Sequence, residues 1–159
     1  MIFVTVGSQK FPFDRLLSRV DQMAGEGAVA EEVFMQTGCS GYIPRHCRYR
    51  PFCHQEQFAA LMEQCAVLIT HGGAGTMIDA IRRGKKIIAV PRLARYGEHV
   101  DDHQMELTQR FHEMGLVCAC PDTARLPEAL AAVRSLGSGE YPSNTEAFIA
   151  SVEEFIRSI

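Results

Sequence analysis

The chain has 159 residues, 47% of them hydrophobic, with a formal net charge of −3 and a pI near 6.1. That length fits one domain with one sizeable core, and the slightly acidic balance excludes a general nucleic-acid binder, which shows a basic face. No stretch approaches the ~20 apolar residues of a membrane span, and the N-terminus lacks the basic n-region of a signal peptide, so a cytoplasmic protein is expected.

Residues 2–6 (Ile-Phe-Val-Thr-Val) form a first strand that ends at the permissive glycine of Gly7-Ser8-Gln9. Residues 13–23 carry apolar side chains at 13, 16, 17, 20 and 23, a helical stripe ended by Gly25 and Gly27. Residues 33–36 are a short strand, followed by a loop over 37–41 and a third strand over 47–52. A helix over 56–64 turns Phe58, Leu61, Met62 and Cys65 to one side. A fourth strand, 66–69, runs into a glycine cluster, and a helix over 76–83 follows, closed by Gly84. Residues 86–90 are a fifth strand ended by Pro91. The polar loop 92–98 leads into a helix whose stripe is Val100, Leu107, Phe111 and Met114, stopped by Gly115. Residues 116–120 are a sixth strand, and 126–133 a short helix.

Strands alternating with helices predict a parallel sheet covered on both faces: an α/β, doubly wound, Rossmann-like domain over residues 1–134. Residues 135–142 are a linker by composition. Ser143 with Glu146 makes a capping box for a final amphipathic helix over 143–159, with Phe148, Val152, Phe155, Ile156 and Ile159 on one face. Such a helix can pack on its own domain or reach to a partner. The six cysteines (39, 47, 53, 65, 118 and 120) are expected as reduced thiols. His46-Cys47 and Cys53-His54 match no common zinc spacing, so no metal site is expected. Cys118 and Cys120 fall on one side of a strand as small core residues.

In doubly wound sheets ligands bind beyond the carboxyl ends of the strands. The run Leu68-Ile69-Thr70-His71-Gly72-Gly73-Ala74-Gly75-Thr76 lies there. Its glycines allow a sharp turn and close approach. A helix opening at Thr76 offers unpaired amides and the positive dipole end to a phosphate. Asp79, one turn on, can accept from a ribose diol, so phosphate and diol together outline a nucleotide. No Lys follows Gly75, which excludes a Walker A loop, and Ile78 stands where the dinucleotide fingerprint needs its third glycine. A second polar run, Glu98-His99-Val100-Asp101-Asp102-His103-Gln104, combines carboxylate, imidazole and amide groups suited to sugar hydroxyls. Arg92 and Arg95 can meet phosphate charge.

These stretches, with Phe3-Val4-Thr5-Val6-Gly7-Ser8, Val33-Phe34-Met35-Gln36-Thr37-Gly38 and Pro91-Arg92, resemble the C-terminal domain of glycosyltransferase family 28. More closely, they resemble the catalytic subunits of two-component bacterial exopolysaccharide and capsule glycosyltransferases, whose eukaryotic counterpart is a two-subunit N-acetylglucosaminyltransferase. The resemblance implies the C-terminal, donor-binding half of a GT-B glycosyltransferase. It implies that Gly7, Ser8 and His71, Gly72, Gly73, Ala74, Gly75 and Thr76 hold the diphosphate of a UDP-sugar, with Arg92 beside it. Asp79 would bind the ribose, where relatives usually place Glu. Phe52 and Cys53 would line uracil, and Asp102, His103 and Gln104 would read the hexose. Inverting, metal-independent transfer is implied, with no cofactor. The hexose it implies is galactose, with glucuronic acid as the alternative, and Glu98 or His99, or a residue of the partner, would be the general base. Because one Rossmann-like domain is half of a GT-B enzyme, the resemblance implies a membrane-associated acceptor-binding subunit and a lipid-linked saccharide acceptor. The chain itself would have no membrane span, and the partner would recruit it to the inner face of the membrane. Competing readings are a non-catalytic UDP-sugar-binding regulatory module, a UDP-sugar epimerase and a dehydrogenase.

Overall fold

A computed structural model of the chain describes residues 1–135 and 146–158, the side chains of the second segment from 150 onward. The strands are β1 (Ile2–Thr5), β2 (Val33–Gln36), β3 (Arg48–Arg50), β4 (Val67–His71), β5 (Lys86–Val90) and β6 (Cys118–Ala119). The helices are α1 (Asp14–Gly25), α2 (Gln55–Gln64), α3 (Ala74–Arg82), α4 (His103–Glu113), α5 (Leu126–Arg134) and α6 (Glu146–Ser158). All five strand pairings are parallel, in the order β3-β2-β1-β4-β5-β6. This is the doubly wound sheet that the alternation of elements predicts.

Alternate residues of each strand feed opposite layers. Ile2 and Val4 join Leu16, Leu17, Val20 and Met23 of α1 and Leu126, Leu130 and Val133 of α5. Phe3 points the other way, into Met62, Met77, Leu107 and Phe111, and Val152 of α6 belongs to this layer. Burial on both faces is why β1, β2 and β4 read as continuous apolar runs. Cys120 is buried in the first layer and Cys118 packs against it.

Several boundaries differ from expectation: β4 runs on to His71, and β6 covers only Cys118–Ala119 of the expected 116–120. α3 starts at Ala74 rather than Thr76, because extended Gly73 (φ −78°, ψ 126°) is already its N-cap. α4 starts only at His103, because the acids before it bond to loop backbone instead of extending the helix: Asp102 accepts from the Ala94 amide at 2.8 Å and Asp101 from His103 at 3.0 Å. Val100 therefore lies outside the helical stripe, 73% exposed, and Met114 is 37% exposed. β3 spans only three residues, all exposed, and its arginines suit an edge strand.

Helix α6 contributes buried Val152, with Phe155 and Ile156 packed on the same layer. Arg82 of α3 pairs with Glu153 at 2.7 Å, and Arg110 of α4 lies 5.5 Å from the centre of the Phe155 ring. Positions 136–142 of the expected linker, the Ser143–Glu146 capping box, and the Phe148 and Ile159 side chains lie outside the described residues. Among the described residues no helix is long and apolar enough to cross a membrane.

Candidate functional site

The strand order reverses between β1 and β4, so the loops leaving these two strands diverge and open a crevice. The His71 imidazole fills its floor. A Cβ added to Gly7 would lie 2.8 Å from His71 Cε1, and one added to Gly73 would lie 2.3 Å from Nε2. Gly7 also has a φ of +74°, and an added Cβ on Gly38 (φ +58°) would meet the Gly7 carbonyl at 2.9 Å. The glycines are thus set by close packing around one ring. His71 Nδ1 lies 3.2 Å from Thr70 Oγ1, and the residue is 5% exposed. Burial, reinforced by the Arg92 charge and opposed by a hydrogen bond with the Thr5 backbone, pushes its pKa down to about 4. The ring is neutral at pH 7.

Above the ring stands the start of α3. Gly73 has no side chain to cap it, and the first intrahelical bond runs from the Met77 amide to the Gly73 carbonyl at 3.2 Å. The amides of Ala74, Gly75 and Thr76 precede that bond and point out of the helix end. An added Cβ on Gly75 has nothing within 4 Å, so open space lies over this turn. With His71 uncharged, the positive potential here comes from the helix terminus itself.

Gln104 ties the neighbouring loops together. Its buried Oε1 accepts from the amides of Gly72 and Arg92, each at 3.0 Å, while its Nε2 has no hydrogen-bond partner among the described residues. Gly72 admits this contact, since an added Cβ there would lie 2.8 Å from Gln104 Cβ.

Two expected site residues take other roles. Arg92 is fully buried and donates to the carbonyls of Val6 (2.6 Å), Phe11 (3.0 Å), Pro12 (3.3 Å) and Glu98 (3.2 Å). Its guanidinium is turned inward, onto these backbone carbonyls. Glu98 is 3% exposed, and both its oxygens are held by Arg15 at 2.9 Å. Oε1 also accepts from the Leu93 amide at 3.1 Å, so this carboxylate is not free to take a proton from a substrate.

The other candidates lie around the rim. Ser8 and His103 are exposed. His99 is half-buried, its Nδ1 3.3 Å from Asp101 Oδ1 and its ring 5.5 Å from that of Phe11. Asp79 pairs with Arg83 at 3.1 Å while its side chain stays 43% exposed. Phe52 is 51% exposed after β3, and Cys53 packs against the second layer, where burial raises its thiol pKa.

The histidine–cysteine pairs have local roles. His54 Nδ1 caps α2 by accepting from the Gln57 amide at 3.3 Å, and the His46 ring lies against Gly25. Among the described residues no three His, Cys, Asp or Glu side chains form a metal-holding group. Sequence reasoning passed over Asp21, a 1% exposed carboxylate in the apolar stripe of α1. It accepts from the Arg45 amide (2.9 Å), the His46 amide (2.8 Å) and Tyr42 Oη (2.7 Å). Burial alone would raise its pKa, and these bonds outweigh burial and lower it. Its apolar setting was the available signal. Arg15 was passed over as well, and nothing local marks it.

Residues 1–159 match the Glycosyltransferase family 28 C-terminal domain. Among curated relatives, the UDP-N-acetylglucosamine transferase subunit ALG13 of Mus musculus is 22% identical, over 99% of this chain and 15% of its own length. The chain thus spans a small fraction of that relative. The glycotransferase of kitacinnamycin superposes with a TM-score of 0.63 at 16% identity, covering 98% of this chain and 38% of that one. The solution structure of ALG13 superposes with a TM-score of 0.60 at 18% identity, covering 98% and 96%. The shared fold is the Rossmann-like, C-terminal half of GT-B glycosyltransferases.

Proposed function

Given that the chain belongs to the glycosyltransferase family 28 C-terminal domains, we propose that it is the donor-binding subunit of a UDP-sugar-dependent, inverting hexosyltransferase that works with an acceptor-binding partner. The observation that carries this reading is the uncapped start of α3 at the switch point of the sheet, with open space over Gly75. The diphosphate rests on the amides of Ala74, Gly75 and Thr76 and on the Gly7–Ser8 turn. Asp79 exchanges part of its contact with Arg83 for the ribose diol, and uracil lies along Phe52 and Cys53. His103 and the Nε2 donors of Gln104 face the hexose.

As the glycosidic bond breaks, negative charge grows on the departing UDP. The preorganised amides and dipole of α3 stabilise it, with no metal or cofactor required. Neutral His71 contributes shape and a hydrogen bond, and no charge. Within this chain His99, oriented by Asp101, is the group suited to accept the acceptor's proton, and the partner can supply the base instead. The partner also brings the lipid-linked saccharide and holds the complex at the inner face of the membrane. The mouse relative is by name a UDP-N-acetylglucosamine transferase subunit, so N-acetylglucosamine joins galactose and glucuronic acid as a candidate sugar. An exopolysaccharide or capsule pathway is the setting we assign from the sequence resemblance.

Titration calorimetry of the protein with UDP tests the site, with ADP as the control for base recognition. Gly75→Asp, which puts a carboxylate in the open space, is expected to abolish UDP binding. UDP heat that is absent from the native protein, or undiminished in the variant, refutes the reading. Co-purification from membranes, followed by assay of the three UDP-sugars on lipid-linked acceptors, then separates an enzyme from a regulatory module.

A further inference from the structure

The buried guanidinium of Arg92 touches both ends of one loop and the middle of another. Val6 opens the β1–α1 loop, and Phe11 and Pro12 lie near its end. Arg92 bonds the carbonyls of all three. It also bonds the carbonyl of Glu98, midway along the β5–α4 loop near whose start Arg92 itself lies. The Glu98 carboxylate closes the same loop through the Leu93 amide and fastens it to Arg15 of α1. Arg15 in turn bonds the carbonyls of Pro91 (3.0 Å) and Pro121 (2.9 Å).

Two loops of the crevice are therefore locked to each other through one side chain. Burying a guanidinium for stability alone is a poor bargain, since desolvation opposes it. Here that cost is not fully met: Arg92 Nε is buried without a hydrogen-bond partner among the described residues. What the residue does secure is position. It holds the strand end that presents Gly7 against His71, and its own amide is one of the two that orient Gln104.

We propose that Arg92 is a positioning residue: it clamps residues 7–12 and 93–98 into one rigid body and so keeps the nucleotide-diphosphate site preformed before ligand arrives. This rests on the UDP-sugar reading of the crevice. Lysine keeps the charge but cannot reach four carbonyls, so Arg92→Lys frees the loops while leaving the sheet intact. Preorganisation lost in this way is expected to weaken UDP binding about tenfold or more.

The test compares Arg92→Lys and Glu98→Gln with Val152→Ala, which loosens α6 on the far layer. UDP affinity, melting temperature and amide hydrogen exchange are read for each. Expected are weaker UDP binding and faster exchange over 7–12 and 93–98 in the two clamp variants, with β4 and β5 still protected. Val152→Ala should lower the melting temperature without moving UDP affinity. Arg92→Lys binding UDP within twofold of the native protein, or Val152→Ala weakening it equally, overturns the proposal. Should Arg92→Lys fail to fold, Glu98→Gln and Arg15→Lys carry the same comparison. If the native protein binds no UDP, the proposed function fails, and the exchange data still decide whether the clamp exists.

Discussion

Acid should destabilise this fold through His71 in particular. The folded ring has a pKa near 4 because it is buried beside Arg92, whereas in the unfolded chain it returns to roughly 6.5. Between these values the unfolded state binds the extra proton, so stability is full above about pH 6.5 and falls as pH drops toward 4. A shift of about 2.5 units amounts to roughly 3 kcal/mol at its limit, with about 2 kcal/mol lost by pH 5. Against a typical total of ~5–15 kcal/mol, that is a large share for one side chain. Urea unfolding of the native protein and of His71→Gln, at half-unit steps from pH 7.5 to 4.5, isolates the contribution as the difference in slope. A ring proton that titrates by NMR near its ordinary pKa in the folded protein, or equal pH slopes for the two proteins, refutes the argument.

Other outcomes follow from the same contacts. Gly73→Ala drives a methyl into His71 Nε2 and should cost about 1–3 kcal/mol of stability in chemical denaturation. Gly75→Ala meets nothing, so it should leave stability unchanged or raise it by up to ~1 kcal/mol while weakening UDP binding in calorimetry. Asp21→Ala leaves the Arg45 and His46 amides and the Tyr42 hydroxyl without their acceptor, and should cost about 3 kcal/mol or more in urea unfolding. Arg82→Ala breaks only a partly exposed pair with Glu153, and should change stability by less than ~1 kcal/mol in the same assay.

Much of the architecture was already legible along the chain. Strand and helix periods, glycine stops and the Thr70–Thr76 loop are encoded by neighbours within a few residues, so each element could be read where it stands. The crevice followed from the order of elements, because a doubly wound sheet opens its loops at the carboxyl edge. Asp21 shows the limit of that reading: a carboxylate beside a helical stripe signals burial, but not that a loop 24 residues away supplies its donors.

The run from Arg92 to Gln104 shows the same limit at the site itself. As a string it is simply rich in polar groups, and every one of them could face a ligand. In the folded chain Arg92 finds the Val6 carbonyl 86 positions away, Glu98 finds Arg15 across 83, and Gln104 is shared between two backbone amides. Those partners arrive only when the strands assemble. A buried charge must then bond to whatever polar atoms lie within reach, and this turned two presumed ligands into supports while leaving the α3 terminus open.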